Sequence, residues 1–436
     1  MTESLARRVA EAGRAQPEVA SLTLAERLAR ITRSRERLAA TGDEVVAHAI
    51  HEGRMPRKFA ERELRSALLL LDALAGFADA LRPRPVPAAS GTTTLEWHPF
   101  GVVLGLHSAN SPIWVPTVVS MSALLAGNSV ICRPSRRVAR TTDAVLGVLA
   151  DPWPDGALQV VDCDRDGIPG LLADPGVDAI VAHASSATCV RHLGMLADAY
   201  ARGTVMRPYI PEASGNDALI VLPGADLATA ARAITLGAFA NAGQLCFSAK
   251  RILVHDTLWP DLRPMLVADA ARIVVGDPAD PATDLAASLA ADQTAAEAAF
   301  SAARAAGGEL VVGRAPLARE TVPRLVLLPR ARLDELELWR QEIFAPIRGI
   351  VLVADTADAT ALAGDTRFGI GASVFGGTAD DHAYIGRNLR VGRLLINESP
   401  LYQDPHLVVG GVRDSGFGGA RPKLEQLVYA RRVHTA

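Results

Sequence analysis

The chain has 436 residues and a formal net charge of −3, with acidic and basic residues mixed along its length. No long basic run is present, so neither nucleic acid nor an anionic membrane is expected as a partner. The length exceeds one ordinary core and implies two or three domains.

Four cysteines, Cys132, Cys163, Cys189 and Cys246, are scattered without a C-x-x-C pair or a histidine at metal-ligand spacing. Neither a disulfide framework nor a metal site is expected from them. The N-terminus has no apolar run that reads as a secretion signal, and no window approaches the roughly 18 apolar residues needed to cross a bilayer. A cytoplasmic protein is the expectation.

In chain order, residues 1 to about 82 read as helices, because "SLTLAERLARITRSRERLAATGDEVVAHAIHEG" and "RKFAERELRSALLLLDALAGFADAL" carry apolar residues every three or four positions. "RPRPVPAAS" then breaks the pattern, since prolines this dense do not sit inside a helix. "GTTTLEWHPFGVVLGLHS" reads as strands. From there strands ("NSVICRP", "ALQVVDC", "VDAIVAHAS", "DALIVLP") alternate with helices ("TTDAVLGVLA", "LATAARAITLGAFANAG"). A second series of strands and helices follows Cys246, through "KRILVHD", "AAEAAFSAARAAGG", "RLVLLP", "IRGIVLVAD" and "GRLLINES". Apolar strands separated by crossover helices imply an α/β protein with mostly parallel sheets covered on both faces. The tail "QLVYARRVHTA" reads as a strand that pairs outside its own domain.

Among the cysteines, Cys246 stands apart. "NAGQLCFSAKR" sets it among small and polar residues, and Gly243 permits a turn that would present the thiol to a cleft. A nucleophile and an ordinary packed thiol both fit at this point. Glu212 in "PEASGN" reads as a loop residue before a strand, and Asn110 in "SANSP" as the end of another strand. Glu342 in "QEIFAPI" reads as a loop residue preceding a strand. A thiol, a carboxylate and an amide on separate loops suit covalent thiol catalysis with a general base and an oxyanion donor.

These segments, in this order and at these spacings, resemble the aldehyde dehydrogenase superfamily over residues 96 to 418. "NAGQLCFSAKR" resembles its Gly-Gln-x-Cys nucleophile segment, with Arg251 in the expected place. Asn110 matches the amide of Pro-Trp-Asn-aromatic-Pro, though Ser108, Ala109 and Ser111 replace its neighbours. "NSVICRPS" matches a Lys-Pro-Ser segment with Arg133 in the lysine's place. Glu212 matches the glutamate of Glu-Leu-Gly-Gly-Lys, "QEIFAPI" matches Glu-Glu-Ile-Phe-Gly-Pro, and "VVGGVRDSGFG" the later glycine-rich segment. The resemblance implies two parallel-sheet α/β domains plus a small β oligomerisation element. It places dinucleotide binding at residues 1–80 and 100–213 and the nucleophile domain at 214–414. Oligomerisation strands are expected at 81–99 and 428–436, with a connecting segment at 415–427 and a homodimer or homotetramer as the assembly.

The same resemblance implies a mechanism. Cys246 attacks a small-molecule aldehyde, Asn110 holds the oxyanion, hydride leaves to a nicotinamide, and Glu212 activates the water that hydrolyses the thioester. Arg133, Ser135, Arg136, Ser185, Glu342 and Phe344 are the expected cofactor contacts, with Ala184 where the family has glycine. Arg136 stands where NAD-preferring members carry a glutamate, so NADP is expected ahead of NAD. The bland alternative makes Arg136 and Arg137 solvated residues at a helix start. Two rival functions stand beside this reading: a CoA-acylating reductase, and a catalytically degenerate subunit on the same scaffold. The substrate tunnel is expected near Asn110, Phe247 and "NESPLYQDPHLV", with Trp114, Tyr402 and His406 as candidates. No anchor for a charged substrate stands out in the sequence.

Overall fold

The computed structural model describes residues 3–286, 293–313, 321–402, 404–406, 410–418 and 424–435. Parts of "NESPLYQDPHLV" and of the connecting segment at 415–427, together with residue 436, lie outside the described residues. Helices Glu3–Ser21, Leu24–Ala40, Gly42–Gly53 and Arg57–Ala78 open the chain. The second begins on a capping box, in which Thr23 accepts from the Glu26 backbone while the Glu26 carboxylate reaches back.

Strands β1 (Arg84–Val86) and β2 (Thr92–Pro99) follow, so the proline-rich break also contributes a short strand. The next five are β3 (Val102–Leu106), β4 (Ser129–Arg133), β5 (Leu158–Val160), β6 (Ala179–His183) and β7 (Tyr209–Glu212). They make a wholly parallel sheet in the order β5-β4-β3-β6-β7. Side chains alternate faces along each strand. Val103, Val130, Cys132 and Val181 therefore pack on helices Leu24–Ala40, Arg57–Ala78 and Trp114–Leu125. Their neighbours Val102, Leu104, Leu106, Ile131 and Ile180 pack on helices Glu3–Ser21 and Ser186–Ala201.

A second sheet holds β8 (Asp217–Val221), β9 (Ala249–His255), β10 (Glu309–Val312), β11 (Arg324–Leu327), β12 (Ile347–Val353), β13 (Gly371–Phe375) and β14 (Arg393–Ile396). Its order is β10-β11-β12-β9-β8-β13-β14. All neighbours are parallel except β10 and β11, which makes β10 an antiparallel edge.

β15 (Val428–Thr435) pairs antiparallel with β2 from Val428↔Pro99 to Thr435↔Thr92, completing a three-stranded ribbon. Its root is pinned by the buried Asn128, whose amide donates to Leu427 O and whose carbonyl accepts from Gly101 N. Beyond Val428 every residue of β15 is exposed. No helix among the described residues is long and apolar enough to cross a membrane.

Candidate active site

The Cys246 stretch forms a tight turn between helix Leu227–Phe239 and β9. Asn241, Ala242 and Gly243 take φ values of 48°, 54° and 74°, three successive left-handed residues. Only glycine adopts this conformation without cost, so the surroundings must hold the other two in place. Arg348, fully buried on β12, does much of this. Its guanidinium donates to Gly243 O at 2.9 Å, Ala345 O at 2.6 Å and Ile343 O at 3.0 Å. One side chain thus ties "NAGQLC" to "QEIFAPI". Burial lowers Arg348 to about 9, and it keeps its charge at neutral pH.

Asn110 lies in the loop between β3 and helix Trp114–Leu125, four residues beyond the strand rather than at its end. Its Nδ2 donates to Gln244 O at 2.9 Å, and Asn241 Nδ2 donates to Asn110 O at 3.1 Å. This reciprocal pair brings the amide and the Cys246 turn together. The carboxylate of Glu63, fully buried on helix Arg57–Ala78, fixes the other side of the Asn110 loop. It accepts from Ser111 Oγ at 2.6 Å, Ile113 N at 3.1 Å and Trp114 N at 2.9 Å. Burial pushes its pKa up to about 7 against those three bonds. The serine at position 111, where the family has an aromatic, is thus the donor to a buried acid.

Lys250, one of three lysines in the chain, is buried four residues after Cys246. Its Nζ donates to Leu245 O and Cys246 O, both at 2.7 Å, and stands 3.5 Å from Glu342 Oε1. The Phe344 ring centroid lies 5.8 Å from the same nitrogen. Burial lowers the Lys250 pKa while Glu342 and Asp217 oppose the shift. Glu342 also accepts from Gly215 N at 2.8 Å. Gly215 has to be glycine because a Cβ there would strike the Cys246 carbonyl. Cys246, Asn110, Glu342 and Phe344 therefore belong to one constellation. Arg251 supports it from below, donating to Asn216 O, Leu362 O and Ala363 O.

Glu212 differs from its sequence expectation. It is the last residue of β7, bridged to Gly416, and not a loop residue. Pro211 hid the strand, but β7 is a sheet edge, where proline is tolerated. The Glu212 side chain is buried and lines a small cavity with His183, Ser122 and Val181. That cavity is distinct from a second one, lined by Ser111, Trp114, Arg62, Leu401 and the two chain neighbours of Cys246, Leu245 and Phe247. Tyr402 and His406 do not line this second cavity. Tyr402 Oη lies 3.5 Å from Asp404, and the His406 ring stands 5.7 Å from Phe77.

The remaining expected residues gather at the carboxyl ends of the five-stranded sheet. Strand order reverses between β3 and β6, which is where an open parallel sheet offers a dinucleotide crevice. Ser185, just past β6, is exposed and caps helix Ser186–Ala201 by accepting from Thr188 N. His107, just past β3, is buried with both ring nitrogens unpartnered among the described residues, and burial lowers it to about 3. Arg133 is tied to Cys163 O through Nε and Nη2 at 3.1 and 2.8 Å. Ser135 is half-buried, and Arg136 is exposed with its Nε 3.6 Å from Asp162. Among the described residues no group of three or more His, Cys, Asp or Glu gathers as a metal site would need.

Sequence reasoning missed Glu63, Lys250, Arg348 and His107. The scarcity of lysine was a signal for Lys250. The other three act across the fold and carry no local mark.

Comparison with known proteins places the chain in a family. The family described as the aldehyde dehydrogenase family matches residues 2–431. A succinate-semialdehyde dehydrogenase [NADP(+)] from Mycobacterium ulcerans is 30% identical over 329 residues, covering 74% of this chain and 69% of that protein. The NADP-dependent glyceraldehyde-3-phosphate dehydrogenase of Bacillus halodurans, solved with NADP, superimposes with a TM-score of 0.90 at 25% identity, over 100% of this chain and 92% of that one. An aldehyde dehydrogenase from Brucella melitensis shares the fold with a TM-score of 0.93 at 22% identity, over 100% of this chain and 90% of its own.

Proposed function

The chain belongs to the aldehyde dehydrogenase family and oxidises aldehydes with a nicotinamide cofactor, and from that premise we propose the part each residue takes. Cys246 is the nucleophile, and the Lys250 ammonium, bonded to its carbonyl, supplies positive charge that favours the thiolate. Thiolate addition to the aldehyde carbon places an oxyanion beside Asn110 and the Cys246 N–H. The reciprocal Asn110–Gln244–Asn241 bonding carries this reading. Gln244 O holds one amide hydrogen of Asn110, and the other has no acceptor among the described residues.

The residues at the carboxyl ends of β3 and β6 fit a dinucleotide. Their crevice is flanked by a helix N-terminus at Ser185, the cation Arg136 and the unpartnered ring of His107. Glu342 keeps Oε2 without a partner among the described residues and is assigned to a ribose hydroxyl, with Phe344 beside it. Arg133 positions the Cys163 carbonyl and Ser135 borders the adenosine end. When bound, the nicotinamide supplies the acceptor for the hydride lost by the thiohemiacetal carbon. Glu212 then turns from its own cavity towards Cys246 and takes the proton of the water that hydrolyses the thioester, releasing a carboxylic acid. NADP is favoured over NAD because Arg136 can receive a 2′-phosphate, as the NADP-named relatives support.

The five-stranded sheet with its helices is the cofactor domain, and the seven-stranded sheet is the nucleophile domain. The exposed β15 edge suits pairing with a second copy, so we assign a homo-oligomer in the cytoplasm. The test is cofactor reduction with NADP or NAD and an aldehyde panel, with and without CoA. Aldehyde-dependent reduction without CoA supports the assignment. A strict CoA requirement overturns hydrolysis, and no reduction with any aldehyde returns the degenerate subunit to favour.

A further inference from the structure

The narrow cavity lined by Leu245 and Phe247, the chain neighbours of Cys246, does not end at its mouth. It shares Phe59, Arg62 and Leu401 with a second cavity of about 390 Å³, within the range that holds small-molecule ligands. The wide cavity has apolar walls from Leu236, Phe239 and Ile273, and four cations on its lining. Two of these are neutralised: Lys58 pairs with Asp284 at 2.6 Å and Arg272 with Asp269 at 3.0 Å. Arg62 and Arg232 have no carboxylate partner among the described residues. Arg232 is exposed and donates to Thr229 Oγ1, whereas Arg62 is half-buried where the two cavities meet. Among the described residues only Arg62 Nη2 is engaged, by Leu401 O, which leaves the rest of its donor fork available. Burial lowers its pKa, with Arg65 adding to the effect, so its charge is partly stripped of water without a compensating anion. Glu63 lines the same narrow cavity, but its accepted bonds all run to the Asn110 loop.

We propose that the aldehyde oxidised here carries an anionic group, a carboxylate or a phosphate ester, received by Arg62 where the narrow cavity opens into the wide one. The inference rests on the aldehyde-oxidising reading above and deepens it. The Arg62 fork matches a bidentate oxyanion, and the carbon chain between anion and carbonyl lies against Phe59, Phe247 and Leu245. This supplies the charged-substrate anchor that the sequence did not reveal.

The experiment compares kcat/KM for carboxylate-bearing, phosphate-bearing and neutral aldehydes of equal chain length, in wild type, Arg62→Gln and Arg62→Lys. Wild type should favour one anionic series, and which series wins identifies the anion. Arg62→Gln should lower the anionic-to-neutral ratio about ten- to a hundredfold, mainly through KM, with partial recovery in Arg62→Lys. An unchanged ratio, or no anionic preference in wild type, overturns the proposal while aldehyde oxidation stands. Calorimetric binding of a short dicarboxylate and of inorganic phosphate reads the site without turnover. Binding that weakens in Arg62→Gln supports it, and binding equal in both proteins overturns it. Failure to oxidise any aldehyde would instead strike the underlying reading.

Discussion

The Cys246 turn and the rim at Arg136 and Ser185 are built by opposite means. Around Cys246, buried cations do the work: Arg348, Arg251 and Lys250 each donate to backbone carbonyls, and Arg348 ties the left-handed run at Gly243. Around β4 and β6, Ser185 and Arg136 are exposed, and among the described residues Arg136 meets only Asp162, at 3.6 Å. Preorganisation is concentrated at the Cys246 turn. On the roles proposed above, the atoms that meet a transition state are locked before substrate arrives, whereas the rim assigned to the cofactor is left to solvent.

The largest effect expected tests the locked side. Cys246→Ala should lower aldehyde-dependent cofactor reduction by at least about 10⁴-fold, whereas Glu212→Gln should leave a burst and slow turnover by about 10²- to 10⁴-fold. Rapid-mixing absorbance separates the two. Loss of the burst in Glu212→Gln would mean that Glu212 acts before hydride transfer.

Lys250→Met strips the donor from Leu245 O and Cys246 O and leaves Glu342 without its cation. Breaking a buried pair of this kind costs about 3–5 kcal/mol, and denaturant midpoints should register it. A variant as stable as wild type would show that the turn holds without its ammonium.

Glu63 sharpens the comparison through pH. Its folded-state value of about 7 lies above the 4.5 of an unfolded chain, so folding takes up a proton between those values. The stability it contributes is fully present below about pH 4.5 and is lost as pH rises through about 7. The margin of wild type over Glu63→Gln should therefore widen as pH falls from neutrality towards that lower value, as melting temperatures can show. A margin independent of pH would remove the charge-burial account.

The smallest effect belongs to the open rim. The Arg136 and Asp162 side chains are 64% and 77% exposed, so solvent screens any contact there. Arg136→Glu should shift the NADP/NAD ratio of dissociation constants by no more than about fivefold towards NAD. An unchanged ratio makes Arg136 a bystander at the helix start.

Much of this was readable from short stretches. Apolar runs marked β3, β4, β6, β8, β9 and β12, because strands buried on both faces have no reason to alternate with polar residues. The Cys246, Asn110 and Glu342 segments were legible because each carries its signal within a few residues. β7 was missed since Tyr-Ile-Pro-Glu is short and contains a proline, and β13 since Gly-Ala-Ser-Val-Phe has little strand character of its own. Central position between β8 and β14 decides β13, and that is a tertiary fact.

The sequence by itself determined the alternation of strands and helices and marked the Cys246, Asn110 and Glu342 segments as candidates. Only the tertiary structure decided how these are held and what stands opposite them. Glu63 meets Ser111 across 48 positions, and Arg348 meets Gly243 across 105. Arg62 reaches Leu401 across 339. A buried charge finds its partners through the packing of sheets and helices rather than through spacing along the chain. The sequence marks the reacting groups, and the fold decides which charges surround them.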